Sequence, residues 1–309
     1  MNLFLDIDQV IKQKGAFATI GTFDGLHLGH RKLIKKLIDE SRANGAANFV
    51  ITFEPHPRSV VSKNYDMKLL TALSEKIELF KELGVENLLV VRFTEEFSKL
   101  SAETFIEKYL VEKIGIGKLI IGHDHRLGKG RGGDEKTLTE LGVKHGFEVE
   151  KISEVLLDDE VISSTKVRNY LLEGDVSKAA KMLGRAYSFS GKVVKGAQRG
   201  RLLGFPTANV QLENPQKLIP KNGIYAVKAK VGNKTHNGVM SLGLRPTFND
   251  LTEPLAEIYI FDFEEDIYHN IVAVEIISRL RDEEKFPSVE ELIKQMNADV
   301  KTAKEILIN

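Results

Sequence analysis

Through its first half the chain alternates between short apolar runs and longer stretches whose apolar residues return every three or four positions. The runs at 17–20, 48–53, 87–91, 118–121 and 147–151 have the length of strands, and the stretches at 30–43, 72–83, 102–113 and 134–145 carry helical periodicity. Strands alternating with helices predict an α/β domain built on a doubly wound parallel sheet. Ligands on such sheets bind beyond the carboxyl ends of the strands. Gly21 and the segments 54–57 and 122–133 each directly follow a strand, so all three loops are expected to open on one crevice. A further helix over 165–172 follows Ser163 and Ser164, whose hydroxyls suit an N-cap, and a short one over 176–183 comes next.

The pattern changes at Gly184–Arg185. From there the strand-like runs at 189–195, 223–231, 237–242, 256–261 and 271–277 are broken by Gly, Pro and Asn, which predicts a small antiparallel β-barrel. A last helix is expected over 289–308. The boundary therefore falls between a domain at 1–184 and a domain at 185–309, as suits a chain of 309 residues.

Charge and composition narrow the partners. Lysine plus arginine equals aspartate plus glutamate at 44 each, which argues against a general nucleic-acid or anionic-membrane surface. The absence of cysteine excludes disulfides, thiol nucleophiles and thiolate metal sites. No apolar run reaches membrane-spanning length, and the first residues, MNLFLDIDQV, carry acids where a signal peptide has basic residues. The expectation is a cytoplasmic protein acting on small molecules, without nucleic-acid or membrane partners. Its oligomeric state is not legible.

The densest chemistry is GTFDGLHLGH at 21–30. Strand, glycine-rich turn and helix in that order aim backbone N–H groups and the positive end of a helix dipole at one spot. His27 and His30, three apart, share a face there. Gly29 has no Cβ and lets phosphates approach. Two imidazoles and helix N–H groups can neutralise the charge that builds on a triphosphate as pyrophosphate leaves. Standing alone, the motif would read as a tight turn with two surface histidines. TFEPHPR at 52–58 joins it, its two prolines stiffening a loop that presents His56 and Arg58. SSTKVR at 163–168 brings hydroxyls and two cations to a helix start, and GHDHRLGKGRGGD at 122–134 keeps Asp124, His125, Lys129 and Arg131 on a polar loop. Separately these would be an ordinary loop histidine, a capped helix and a flexible surface loop.

In the second half, GKVVKGAQRGRLLGFPTAN at 191–209 sets a glycine-spaced basic loop before a rigid Phe205–Pro206. Thr207 and Asn209, two apart on an extended segment, face the same side, and such hard oxygen donors suit Mg²⁺ carried on a nucleotide. A barrel hairpin with a polar edge would look the same. Glu257, an acid among alternating apolar residues, reads by itself as part of a solvated outer face.

Taken in order, the first-half motifs resemble the HxGH nucleotidyltransferase superfamily and, more narrowly, the FMN adenylyltransferase half of bacterial bifunctional riboflavin kinase/FAD synthetases. The resemblance implies that Gly21, Phe23, Asp24, His27 and His30 hold ATP, and that Ser163, Ser164, Thr165 and Arg168 close over its phosphates. His27, His30 and Arg168 would carry the catalysis, and His56, Arg58, Asp124, His125 and Arg126 would meet the flavin. Many members have two phenylalanines where His125 and Leu127 stand, so the flavin end is where this chain departs. The second half resembles riboflavin kinase through GRLLGFPTANV (200–210), GIYAV (223–227), GVMSLGLRPTF (238–248), AEIYIFDFEEDIY (256–268) and SRLRDEEKF (278–286), with Ser241 where asparagine is usual. This implies ATP on Gly200, Arg201, Gly204, Pro206 and Thr207, and Mg²⁺ on Thr207 and Asn209. It also implies Glu257 as general base towards the ribityl hydroxyl, with Arg279 and Arg281 near the flavin.

The expected activity is thus bifunctional: ATP phosphorylates riboflavin to FMN on the barrel, and a second ATP adenylylates FMN to FAD on the sheet domain. An alcohol must lose its proton as its bond to phosphorus forms, whereas the phosphate of FMN is already nucleophilic and needs positioning and charge neutralisation. The alternatives are an altered or degenerate adenylyltransferase beside a working kinase, a nucleotidyltransferase for another small phosphate, and a flavin carrier or RNA-binding regulator. Neutral composition and the lack of basic–aromatic strips weigh against RNA.

Overall fold

The computed structural model describes residues 1–62, 67–196, 200, 203–246 and 252–308, with the backbone alone at Arg131, 244–246 and 252–254. Arg201, expected at ATP, lies outside the described residues. The chain forms two compact units, Met1–Ser164 and Thr165–Asn309.

The first unit is built on six parallel strands: β1 (Asn2–Phe4), β2 (Ala16–Ile20), β3 (Asn48–Glu54), β4 (Asn87–Arg92), β5 (Ile116–Ile121) and β6 (Glu148–Lys151). Their order is β1-β4-β3-β2-β5-β6. From β2 the sheet grows one way through β3 and β4 and the other way through β5 and β6. The switch point, where such sheets open a crevice, therefore lies at the carboxyl ends of β2 and β5. β3 and β4 are buried along nearly their whole length because helices cover both faces. On one face α1 (Leu28–Ala43) lays down Leu33, Ile34, Leu37 and Ile38, joined by Phe80 of α3 (Leu73–Glu82). On the other lie α4 (Ala102–Phe105), which runs on as a π-type helix over Ile106–Ile114, and α5 (Glu135–His145). Ile106, Leu110 and Ile114 recur every fourth residue, a spacing that a slightly wider winding keeps on one buried line.

Three elements escape the hydrophobic pattern. β1 is a three-residue edge strand, the hairpin of β7 (Leu156–Leu157) and β8 (Glu160–Val161) is shorter still, and α2 (Pro57–Val61) is a single turn. None is long enough to show a period. In α2 the structure corrects the expected stiff loop: Pro57 sits at the first helical position, where its fixed φ starts a helix instead.

The second unit opens with α6, which starts at the last residue of the first unit (Ser164–Glu173), and with α7 (Val176–Leu183). By contacts these helices count with the barrel, although the change of sequence pattern follows them, at 184/185. Then come β9 (Tyr187–Val194), β10 (Thr207–Leu212), β11 (Gly223–Val231), β12 (Lys234–Pro246), β13 (Thr252–Ile260) and β14 (Ile271–Arg281), closed into a barrel in the order β10-β13-β12-β11-β14-β9. All six pairings are antiparallel. Val210, Met240, Leu242, Ala256 and Ile258 are buried while the residues between them on β12 and β13 are more open, the alternation of a filled small barrel. β11 is buried on both sides because α8 (Val289–Leu307) packs Ala303 and Leu307 against Ala226 and Phe261. That double cover explains the unbroken apolar run at 223–227.

One ion pair fastens α8 to the barrel. Arg281 donates through Nε and Nη2 to the carboxylate of Asp299, at 2.9 and 2.7 Å, and Asp299 is buried. Asp299→Ala should cost about 3 kcal/mol in urea unfolding, because it leaves a guanidinium half-buried without its counter-charge. Arg281→Met in the same chain should recover much of that loss.

Candidate active sites

The 21–30 turn leaves β2 at the switch point and enters α1. Phe23 and Leu26 hold left-handed φ values of 49° and 39°, which non-glycine residues avoid. The ring of Phe23 folds back beneath Gly21, where a Cβ would meet it at 3.0 Å, and packs edge-on against His30 and Phe80. Asp24 is buried and accepts from the backbone N–H of Leu70 (3.1 Å) and Thr71 (3.0 Å), so it anchors the turn to the segment before α3. Thr71 Oγ1 in turn accepts from Gly25 N–H at 3.0 Å. Ser164 Oγ donates to the Asp24 carbonyl at 2.8 Å, which brings the Ser163–Ser164 pair to the same turn.

His27 caps α1: its Nδ1 accepts from His30 N–H at 3.3 Å. The two imidazoles stack with centroids 3.7 Å apart and planes 17° apart. Gly29 sits against the His27 ring, which a Cβ would meet at 3.2 Å. Burial, then the neighbouring His27, then Lys76 hold the His30 imidazole well below its ordinary pKa, so it is neutral near neutrality. Its Nδ1 is buried without a hydrogen-bond partner among the described residues, as is Nε of Arg31. An anion placed at this helix N-terminus would accept from the Arg31 Nε–H and favour the protonated, donating form of His30.

Lys76 was not foreseen. It is 3% exposed on α3, with Nζ 3.4 Å from the Thr22 carbonyl and 3.9 Å from Glu54. Burial lowers its pKa against the pull of Glu54 and Asp24, and burial likewise raises that of Glu54. A signal for it exists in the sequence, since Leu73, Lys76 and Phe80 fall on one helical stripe, and a lysine on an apolar stripe needs a partner.

Of the expected flavin residues, His56 is buried and caps α2, with Nδ1 accepting from Arg58 N–H at 3.2 Å, while Arg58 is exposed. Asp124 and Arg126 are exposed, and Arg126 lies 3.4 Å from Asp134, the N-cap of α5. Leu127 joins the core with Phe53 and Phe105, and Gly128 and Gly133 press on Ala102, so the loop after β5 is a packed structure. The His125 imidazole is lowered by burial to a pKa of about 4, partly offset by Asp124. An unfolded histidine takes up its proton near 6.5, so the unfolded state binds more protons throughout the window from 6.5 down to about 4. Stability present above 6.5 should therefore be lost as pH falls through it, by up to about 3 kcal/mol. Melting temperature against pH checks this, with a shallower slope expected in His125→Phe.

Thr165 is exposed and Arg168 half-buried on the first turns of α6, within the second unit.

In the barrel, register assembles the second site. Asn209 of β10 lies opposite Glu257 of β13, and Glu257 lies opposite Ser241 of β12. Their side chains form one row on the outer face, since the neighbouring Val210, Ile258 and Leu242 fill the interior. Asn209 is buried, and its Oδ1 has no hydrogen-bond partner among the described residues. Gly196 packs directly on that amide, and a Cβ on Gly200 would come within 3.4 Å of Thr207 Oγ1. The two glycines of the basic loop thus cover the two expected metal donors. Gly204 takes a left-handed φ of 84° before Phe205, which is buried edge-on against Tyr259, and Pro206 is exposed. Ser241 Oγ donates to Glu283 at 3.4 Å. Arg279 donates to the Asn222 carbonyl and to Asp282, both at 2.6 Å, and lies over Tyr225. Arg281 is the strand-to-helix clamp described above. Among the described residues no cluster of three or more His, Asp or Glu is placed to hold a metal.

A glycine-rich turn with a stacked histidine pair at the switch point of a parallel sheet, on one chain with a barrel bearing an acid–amide row, is the arrangement expected of a two-domain nucleotide-using transferase. Family models divide the chain in the same way: FAD synthetase matches residues 9–166 and riboflavin kinase residues 183–307. The bifunctional riboflavin kinase/FMN adenylyltransferase of Bacillus subtilis is 38% identical over 94% of this chain and 92% of its own length. That of Escherichia coli K12 is 37% identical over 95% and 93%. A solved structure described as a macrolide-efflux protein from Streptococcus pneumoniae shares the architecture across 98% of both chains, with a TM-score of 0.90 and 29% identity. Among the described residues of this chain no helix is long and apolar enough to cross a membrane. The chain belongs to the family of bifunctional riboflavin kinase/FMN adenylyltransferases.

Proposed function

We propose that this chain makes FAD in two steps, with the residues above in the following roles, and that it does so in the cytoplasm. The observation that carries the reading is the presence on one chain of a stacked imidazole pair at a helix N-terminus and a separate acid–amide row on a barrel. In the sheet domain, Gly21, Phe23 and Asp24 shape the turn, and His27 and His30 take up charge on the ATP phosphates as pyrophosphate leaves. Ser163, Ser164, Thr165 and Arg168 complete the phosphate cradle. His56, Arg58, Asp124, His125 and Arg126 present FMN, whose phosphate attacks the α-phosphorus without needing a base. The functional boundary is placed at 184/185, where the sequence pattern changes.

In the barrel, Gly200, Arg201, Gly204, Pro206 and Thr207 hold ATP. The orphaned, buried Oδ1 of Asn209 fits a hard cation, and Thr207 faces the same side, so these two would hold Mg²⁺. Such an ion would neutralise charge on the transferring phosphate. Glu257, next to Asn209 in register, accepts the proton of the ribityl hydroxyl, with Arg279 and Arg281 on the flavin side.

Incubation with riboflavin, ATP and Mg²⁺, followed by separation of flavins, tests the whole reading. FMN should appear first and FAD after it. Product that stops at FMN would favour a kinase with an altered adenylyltransferase half, and no flavin turnover would sink both.

A further inference from the structure

His125 stands out from the rest of its loop. Arg126 is exposed and pairs with Asp134 at 3.4 Å, whereas Leu127, two residues after His125, is buried. Leu127 packs into the apolar cluster that contains Phe53 and Phe105. The Nε2 of His125 is buried without a hydrogen-bond partner among the described residues. A buried polar atom left unpaired is costly, and the ring is held in its neutral form, which keeps one nitrogen a donor and the other an acceptor. The loop follows β5, at the switch point of the sheet. A neutral imidazole with one nitrogen open to a hydrogen bond suits the polar edge of a flat aromatic ring system.

We propose that Nε2 of His125 hydrogen-bonds to the polar, pyrimidine-like edge of the isoalloxazine ring of FMN, so that this chain fixes the flavin by a directed contact. The inference rests on the assignment of the 122–133 loop to the flavin. That ring edge carries two carbonyl acceptors and one N–H donor, so either imidazole tautomer finds a partner. The contact also satisfies an atom that has no hydrogen-bond partner among the described residues.

The test is steady-state FAD formation from supplied FMN, a reaction that reads only the adenylyltransferase half. His125→Phe should raise KM for FMN about tenfold, the effect of one lost hydrogen bond, and leave KM for ATP in place. His125→Gln, whose amide nitrogen reaches the Nε2 position, should recover most of the loss, whereas His125→Asn, which reaches only the Nδ1 position, should not. With 3-methyl-FMN, which lacks the ring N–H and crowds that edge, the wild-type protein should lose about tenfold in kcat/KM, and His125→Phe should no longer distinguish it from FMN. Unchanged KM for FMN and unchanged discrimination in the Phe and Asn variants would overturn the contact, as would a change in KM for ATP instead. Asp124→Ala and Arg126→Ala, both on the loop, separate the two levels. If they raise KM for FMN while His125 variants are silent, the loop assignment stands and only the contact falls. If every one of these variants is silent, the loop assignment falls and takes the contact with it.

Discussion

Glu257→Ala should abolish FMN formation from riboflavin while the same preparation still converts supplied FMN to FAD. A ribityl hydroxyl is a poor nucleophile until its proton leaves, and a positioned general base contributes roughly 10²–10⁴ in rate. Glu257 lies between Asn209 and Ser241 in register on the outer face of the barrel. Its removal therefore leaves the interior formed by Ile258, Val210 and Leu242 intact. Glu257→Gln keeps the size and the hydrogen-bonding capacity but not the basicity, so it should fail nearly as badly. Chromatographic separation of riboflavin, FMN and FAD reads both activities in one assay. A folded Glu257→Ala protein that loses both together would refute the division of labour.

The converse is expected for His27→Ala, which should cripple FAD formation by roughly 10²–10³, the usual loss for one charge-stabilising donor, and leave riboflavin phosphorylation in place. His27 does two jobs that the variant removes together. It caps α1 through His30 N–H, and it stacks on His30. Loss of the cap alone costs about 1 kcal/mol of stability. His27→Asn separates the two, because asparagine is a strong N-cap but offers no imidazole. If Asn restores FAD synthesis, the role of His27 is structural and its place at the phosphates is lost. Unchanged FAD synthesis in His27→Ala would sink the assignment outright.

Much of this molecule could be read from its residues. The doubly wound parallel sheet followed from apolar runs alternating with helical stripes, because β2, β3, β4 and β5 are largely buried under helices and their hydrophobicity is nearly continuous. β1, α2 and the β7–β8 hairpin were invisible, since two to five residues cannot display a period. Strand β10 was legible only as an extended segment, through Thr207 and Asn209, and its apolar content is too low to announce a barrel strand. Arg281 illustrates a different limit. Nothing local to 278–286 tells that its charge is met by Asp299, 18 residues away on α8.

The sequence by itself determined the local geometry of the first candidate site, because a strand, a glycine-rich turn and two histidines at a helix start are contiguous, and contiguous residues carry their geometry with them. It also determined the order of the two domains, from the change of period at Gly184. Only the tertiary structure decided what stands around those groups. The pairing of Asn209, Glu257 and Ser241 depends on strand register, and register is set by packing across the barrel. The burial of Lys76, and of the His125 Nε2 that has no hydrogen-bond partner among the described residues, depends on how distant segments pack around them. Residue type fixes what a group can do, whereas burial and partners fix its charge and whether a hydrogen bond is left open for substrate. Those are properties of chain segments far apart in sequence.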